Sequence, residues 1–216
     1  MTGLMMKDAL VMRKTLRLYA LFLLFYSGLA VLGVFPMSMA LAMVEVIVMV
    51  LPISSFSYDE AAKWDRYAAV LPVGRTAVVK ARYLFLLLVL LAAAAIGLVG
   101  SILASLLARE DLGELLATLL VSMGLGLMIA DIILPVVYQL GPERARPWMY
   151  VIIFAPIVVL LGGAKLGLFD GIDLSWLDQL PELAVLGVFA LVPLVPLVGM
   201  LLSCWISCRI YARKEF

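Results

Sequence analysis

Residues Leu18–Phe56 read LYALFLLFYSGLAVLGVFPMSMALAMVEVIVMVLPISSF, with one charge, Glu45, in the whole stretch. A helix crosses the ~30 Å hydrocarbon core of a bilayer with about 20 apolar residues. This run is too long for one crossing and too apolar for water. It therefore holds two spans, about 18–35 and 37–56, with Gly33, Phe35 and Pro36 marking the tight hairpin between them. Outward from there, similar runs recur at about 83–107, 115–138, 148–164 and 183–208, and the only acid inside these four is Asp131. The composition agrees: 66% of the 216 residues are hydrophobic and mean hydropathy is +1.17, against roughly 45–50% apolar in a soluble domain. The expected fold is all-α and integral to the membrane, with six transmembrane helices in a single domain over 1–216.

Charge sets the orientation. Fourteen of the sixteen Lys and Arg fall in the N-terminal segment, the 57–82 loop, the 139–147 loop and the C-terminal tail. The other side carries Arg109 and Lys165 among acids. The positive-inside rule then puts both termini in the cytoplasm. The expected location is the cell membrane, crossed several times. The first span runs too long to be the core of a cleavable signal.

Two cytoplasmic elements are expected. In Met1–Arg17, Lys7, Arg13, Lys14 and Arg17 share an arc at helical spacing, opposite Met5, Ala9, Met12 and Leu16. This pattern predicts a helix lying in the headgroup layer. The loop after span two reads Ser57-Tyr-Asp-Glu-Ala-Ala-Lys-Trp-Asp-Arg-Tyr-Ala-Ala-Val-Leu-Pro72. Ser57 and Glu60 match a capping box and Pro72 a stop, so a short cytoplasmic helix is expected between them. Its mixed charges and its aromatics, Asp59, Glu60, Lys63, Trp64, Asp65, Arg66 and Tyr67, with Leu71 at its end, suit docking against a protein. A weaker echo follows span four: Pro135, then Glu143 eight residues on, Arg144, Arg146 and Trp148, repeating Pro52, Glu60, Lys63 and Trp64. It predicts a second cytoplasmic contact at Glu143, Arg144 and Arg146.

These residues also carry a resemblance. Tyr58-Asp-Glu-Ala-Ala-Lys-Trp-Asp-Arg-Tyr67, then Leu71-Pro-Val-Gly-Arg75, then Val79-Lys-Ala-Arg-Tyr83 resemble the signature loop of ABC-2 type transporter permeases. The closest likeness is to the small six-span Gram-positive subgroup, similar to phenol-soluble modulin exporter permeases. Leu134-Pro135 through Tyr138, Gly141, Glu143, Ala145 and Arg146 match the family's exit from span four. The resemblance implies a homodimer bound to two ATP-binding subunits. The 59–71 segment would be the coupling helix seated in a groove of the ATPase, and the cargo an amphipathic peptide or a hydrophobic small molecule. One position departs: Lys63 stands where the family often has glycine.

Chemistry by this chain alone finds little support. There is no histidine, hence no common metal ligand or general base. Cys204 and Cys208, one helical turn apart in an apolar stretch, read as packing residues. A nucleotide-binding P-loop is missing, since Gly162-Gly-Ala-Lys-Leu-Gly167 lacks the required spacing. The expectation is a transport subunit, not an enzyme, that binds no cofactor or nucleic acid and leaves ATP and Mg to its partner. Acids inside a membrane usually face a bundle interior or water. Glu45 and Asp131, with Met43 and Met49 beside the former, are thus candidates for a translocation path. The alternatives are ordinary helix packing, or a secondary transporter using Glu45 and Asp131 as proton sites.

Overall fold

The computed structural model describes residues 2–64, 67–68, 74–167 and 182–213. Among the described residues the long helices are, in order, α1 (Thr2–Val11), α2 (Arg13–Val31), α3 (Met37–Ala61), α4 (Arg75–Leu107), α5 (Leu112–Leu140), α6 (Pro142–Lys165) and α7 (Glu182–Ala212). The described residues contain no strand. Six helices, α2 to α7, are long and apolar enough to cross a membrane. Several run past the apolar stretches that announced them, because a helix keeps its hydrogen bonds into the polar layer at little cost.

Helix α5 is the axle. It packs most extensively on α7 and α3, and also on α4 and α6. Close approach to α7 depends on Gly124: a Cβ there would lie 2.7 Å from Val192 Cγ1 and 2.9 Å from the Val192 carbonyl. The main core lies among α2, α3, α4 and α5, around Leu41, Val44, Val48, Leu90 and Leu127. A smaller core of Ile53, Ile129, Ile133, Val137 and Ala145 seats α6. The α5–α6 corner is a single residue, Gly141 at φ 82°, followed by Pro142 in the first turn of α6. Glycine supplies the left-handed backbone, and proline occupies a position that needs no N–H.

One end of the bundle, called the base, gathers the start of α2, the end of α3, the start of α4 and the end of α7. Arg75 Nη1 donates to the Ala212 carbonyl there at 3.1 Å, which joins the start of α4 to the end of α7. The opposite end, the top, holds the α2–α3 and α4–α5 turns. The segment 168–181, where an amphipathic stretch around Trp176, Leu177 and Leu180 stands in the sequence, lies outside the described residues.

Two expectations about the base need correction. The capping box at Ser57 does not start a helix. Helix α3 continues from the hairpin to Ala61, and Ser57 Oγ donates to the Ile53 carbonyl one turn back, at 2.9 Å. The chain turns instead at Lys63, φ 53°, just beyond the Ala62 cap. That left-handed residue after a helix end is where glycine is favoured, which accounts for the glycine of the family pattern. Helix α1 is also oriented differently. Met12 is buried and Met5, Ala9 and Leu16 pack inward, but Lys7 and Asp8 face inward too, while Met6, Leu10 and Val11 face out. Lys7 leaves the basic arc because its charge has partners inside.

Candidate functional site

Four charged side chains from three separate helices converge at the base. Arg82 lies in the third turn of α4, Asp59 near the end of α3, and Lys7 and Asp8 on α1. Arg82 Nη2 donates to Asp59 Oδ2 and Nη1 to Ser55 Oγ. Its Nε faces Asp8 Oδ2 at 3.3 Å, as an ion pair without hydrogen-bond alignment. Lys7 Nζ sits 2.8 Å from both Asp8 Oδ1 and Asp59 Oδ1. Aromatic faces complete the shell: Arg82 lies over the Phe56 ring at 4.7 Å and Lys7 over the Trp64 ring at 4.2 Å.

The cluster is neutral as a set, two cations against two carboxylates. Asp8 and Arg82 are each 4% exposed and Asp59 9%. Buried charges are tolerated when paired and hydrogen-bonded, and removing one partner strands the rest. The cluster also has a topological role. Residues 62–74 connect α3 to α4; Asp59 lies in the last turn of α3 before that connection and Arg82 in the third turn of α4 after it. One ion cluster therefore clamps both ends of the loop and pins α1 against them.

Beside it lies an uncharged network. Tyr83 OH is 2.7 Å from Ser203 Oγ and 2.8 Å from Ser207 Oγ, and Ser203 Oγ donates to the Asp131 carbonyl at 2.6 Å. It ties α4, α5 and α7 together just above the base. No group of three or more acids and cysteines able to hold a metal occurs among the described residues.

A family model described as "ABC-2 family transporter protein" matches residues 3–212. The chain belongs to the ABC-2 transporter family. No curated protein and no solved structure matches it. It is a multi-pass membrane protein, the permease component of an ABC transporter. The matched region includes every member of the base cluster.

The ABC-2 permease places the expected contact residues in different settings. Glu60, Lys63 and Tyr67 are exposed, and Trp64 is half-buried under Lys7. Asp59 is turned inward and its carboxylate is occupied within the chain. Asp65, Arg66 and Leu71 lie outside the described residues. Glu143, Arg144 and Arg146 are exposed on the first turn of α6 around the buried Ala145. Glu45 is half-buried on α3, and its Cα is 3.3 Å from where a Gly126 Cβ would stand. Asp131, also half-buried, directs Oδ2 toward Gly199 of α7. Among the described residues no hydrogen bond joins these two acids: Glu45 on α3 lies against Gly126 of α5, whereas Asp131 belongs to α5 itself and turns toward α7. Met43 packs against the main core and Met49 against the smaller one.

Sequence reasoning missed Asp8 and read Arg82 as a loop charge. A signal for each exists. Asp8 is the only acid among the first 44 residues, so it needs a partner supplied by the fold. Arg82 directly precedes a long uncharged run, where a helix already formed carries it inward.

Proposed function

We propose that this permease pairs with a second copy and two ATP-binding subunits to export an amphipathic or hydrophobic cargo, an amphipathic peptide being favoured. The base faces the cytoplasm of the cell membrane. The 62–74 loop is the docking element, and ATP with Mg is bound and hydrolysed by the partner alone.

The observation that carries this reading is the clamp on that loop. A motor seated on an untethered loop would bend it and move nothing. Here the two helices that carry the loop are tied to each other and to α1, so displacement of the loop is passed to α3 and α4 as one body. The exposed Glu60, Lys63 and Tyr67 supply charge and an aromatic anchor for the contact. Asp65, Arg66 and Leu71 stand in the same stretch of sequence, and Glu143, Arg144 and Arg146 offer a second, smaller contact. The clustering of Lys and Arg at the base supports the orientation. Glu45 and Asp131, with Met43 and Met49, remain the candidates for the path.

The test is reconstitution with a partner ABC ATP-binding subunit. The pair is expected to co-purify and to move peptide into proteoliposomes only with ATP. The variant Glu60→Arg/Lys63→Glu/Tyr67→Ala should keep its fold and lose ATPase binding. Asp59 is a poor probe of docking, since reversing it breaks the cluster. Transport by the purified chain alone would overturn the reading, as would full ATPase binding by the triple variant.

A further inference from the structure

The α2–α4 pair is loosely packed along its length. Two adjoining clefts run along it, about 530 Å³ toward the base and about 640 Å³ toward the top, and they share Ile96 as a wall. Small residues hold them open: Ala92 and Ala95 on α4 and Gly28 on α2. A Cβ added at Gly28 would meet nothing within 4 Å. Helix α1 covers the base half with Thr2, Met5, Met6 and Ala9.

The lining carries no charge, and its polar side chains are Thr2, Tyr19 and Ser27. Tyr19 is within 3.4 Å of Ser54 Oγ, and the buried Ser27 Oγ has no partner. A resident water wants two to four polar partners, so this groove suits hydrocarbon. The mouth at the base is different. Arg13 and Arg17 are exposed and continue, at helical spacing, the stripe of Ala20, Leu24, Gly28 and Val31 that floors the groove. Lys14 is exposed next to them. None of the three has an ion-pair partner among the described residues, because Asp8 is committed to Lys7 and Arg82.

We propose that this groove is a binding site for an anionic glycerophospholipid of the leaflet at the base. One acyl chain lies between α2 and α4 and the phosphate rests on Arg13 and Arg17. An apolar slot that ends in exposed cations at headgroup depth matches that ligand at both ends. A second copy of the chain is a worse fit. Copies related by a two-fold axis along the membrane normal bring residues of equal depth together. Pairing through this face would set Arg13 and Arg17 against themselves.

The experiment places the protein in nanodiscs of equal phosphatidylglycerol and phosphatidylcholine, extracts it in mild detergent, and counts retained lipid by mass spectrometry. Phosphatidylglycerol should be retained in preference by about thirtyfold, the product of two surface cations. Arg13→Gln/Arg17→Gln should erase the preference. Gly28→Leu/Ala95→Leu fills the slot, leaves the arginines in place, and should abolish retention of either lipid. Equal retention of the two lipids by the wild type overturns the proposal. So does unchanged retention by the filled variant, which would reduce the effect to surface charge. Gly28→Cys, with Cys204 and Cys208 changed to serine, should give no disulfide-linked dimer. A cross-linked dimer, or a bound peptide that phosphatidylglycerol does not displace, would assign the groove to a protein occupant instead.

Discussion

The two ends of the bundle use acids in opposite ways. At the base, Asp8 and Asp59 are buried, paired with cations, and tie together helices far apart in sequence. At the top, Glu110 and Asp111 hold helix starts. The Glu110 carboxylate accepts from Met37 N, at the first residue of α3, at 3.2 and 3.3 Å, and Asp111 Oδ1 accepts from Gly113 N at 2.7 Å. A cap satisfies an N–H that water would otherwise reach, so it contributes modestly. A buried ion cluster depends on every member. The base is therefore rigid by mutual need, whereas the top is assembled from independent parts that fail one at a time.

The largest effect should come from Arg82→Met. It strands two buried carboxylates with Lys7 alone and should destabilise the protein by about 3–5 kcal/mol in thermal unfolding in detergent. The sharper experiment removes the whole set: Lys7→Met, Asp8→Leu, Asp59→Leu and Arg82→Met together. Most of the lost stability should return, since a buried ion set replaced by packed apolar groups is often neutral. ATP-driven transport should not return, and a quadruple variant that transports normally would show that the clamp carries no motion. At the top, Glu110→Ala should cost about 1 kcal/mol. Its effect should add to that of Arg82→Met within about 0.5 kcal/mol, because the sites share no partner. Strong coupling between them in a double-mutant cycle would break the contrast between the two ends. The smallest effect returns to the base: Lys63→Gly relieves a left-handed lysine and should stabilise by about 0.5 kcal/mol, read as a raised Tm.

Much of the architecture is legible without coordinates. Uncharged runs of spanning length declare the helices, because nothing but a helix or closed barrel can satisfy backbone groups in lipid. The Gly33–Pro36 turn is legible for the same reason, as the sole break in a run too long for one crossing. The signature loop after span two is legible as a resemblance, and the family match bears it out. The boundaries at the base are less so. Ser57 carries the local pattern of a helix start, yet α3 already runs through it, and continuing a helix costs less than nucleating one.

What the sequence determined alone is the solvent: 66% hydrophobic residues in long uncharged blocks require lipid, six crossings, and charges left at the ends. What tertiary structure decided is which charges stay at the surface and which are taken inside. Lys7, Asp8, Asp59 and Arg82 look like ordinary loop and headgroup charges one at a time. Each is stable in a low-dielectric interior only when the others are already there, and that condition spans 75 positions of chain, from Lys7 to Arg82. No local pattern can encode it, because the free energy belongs to the set and to no member alone.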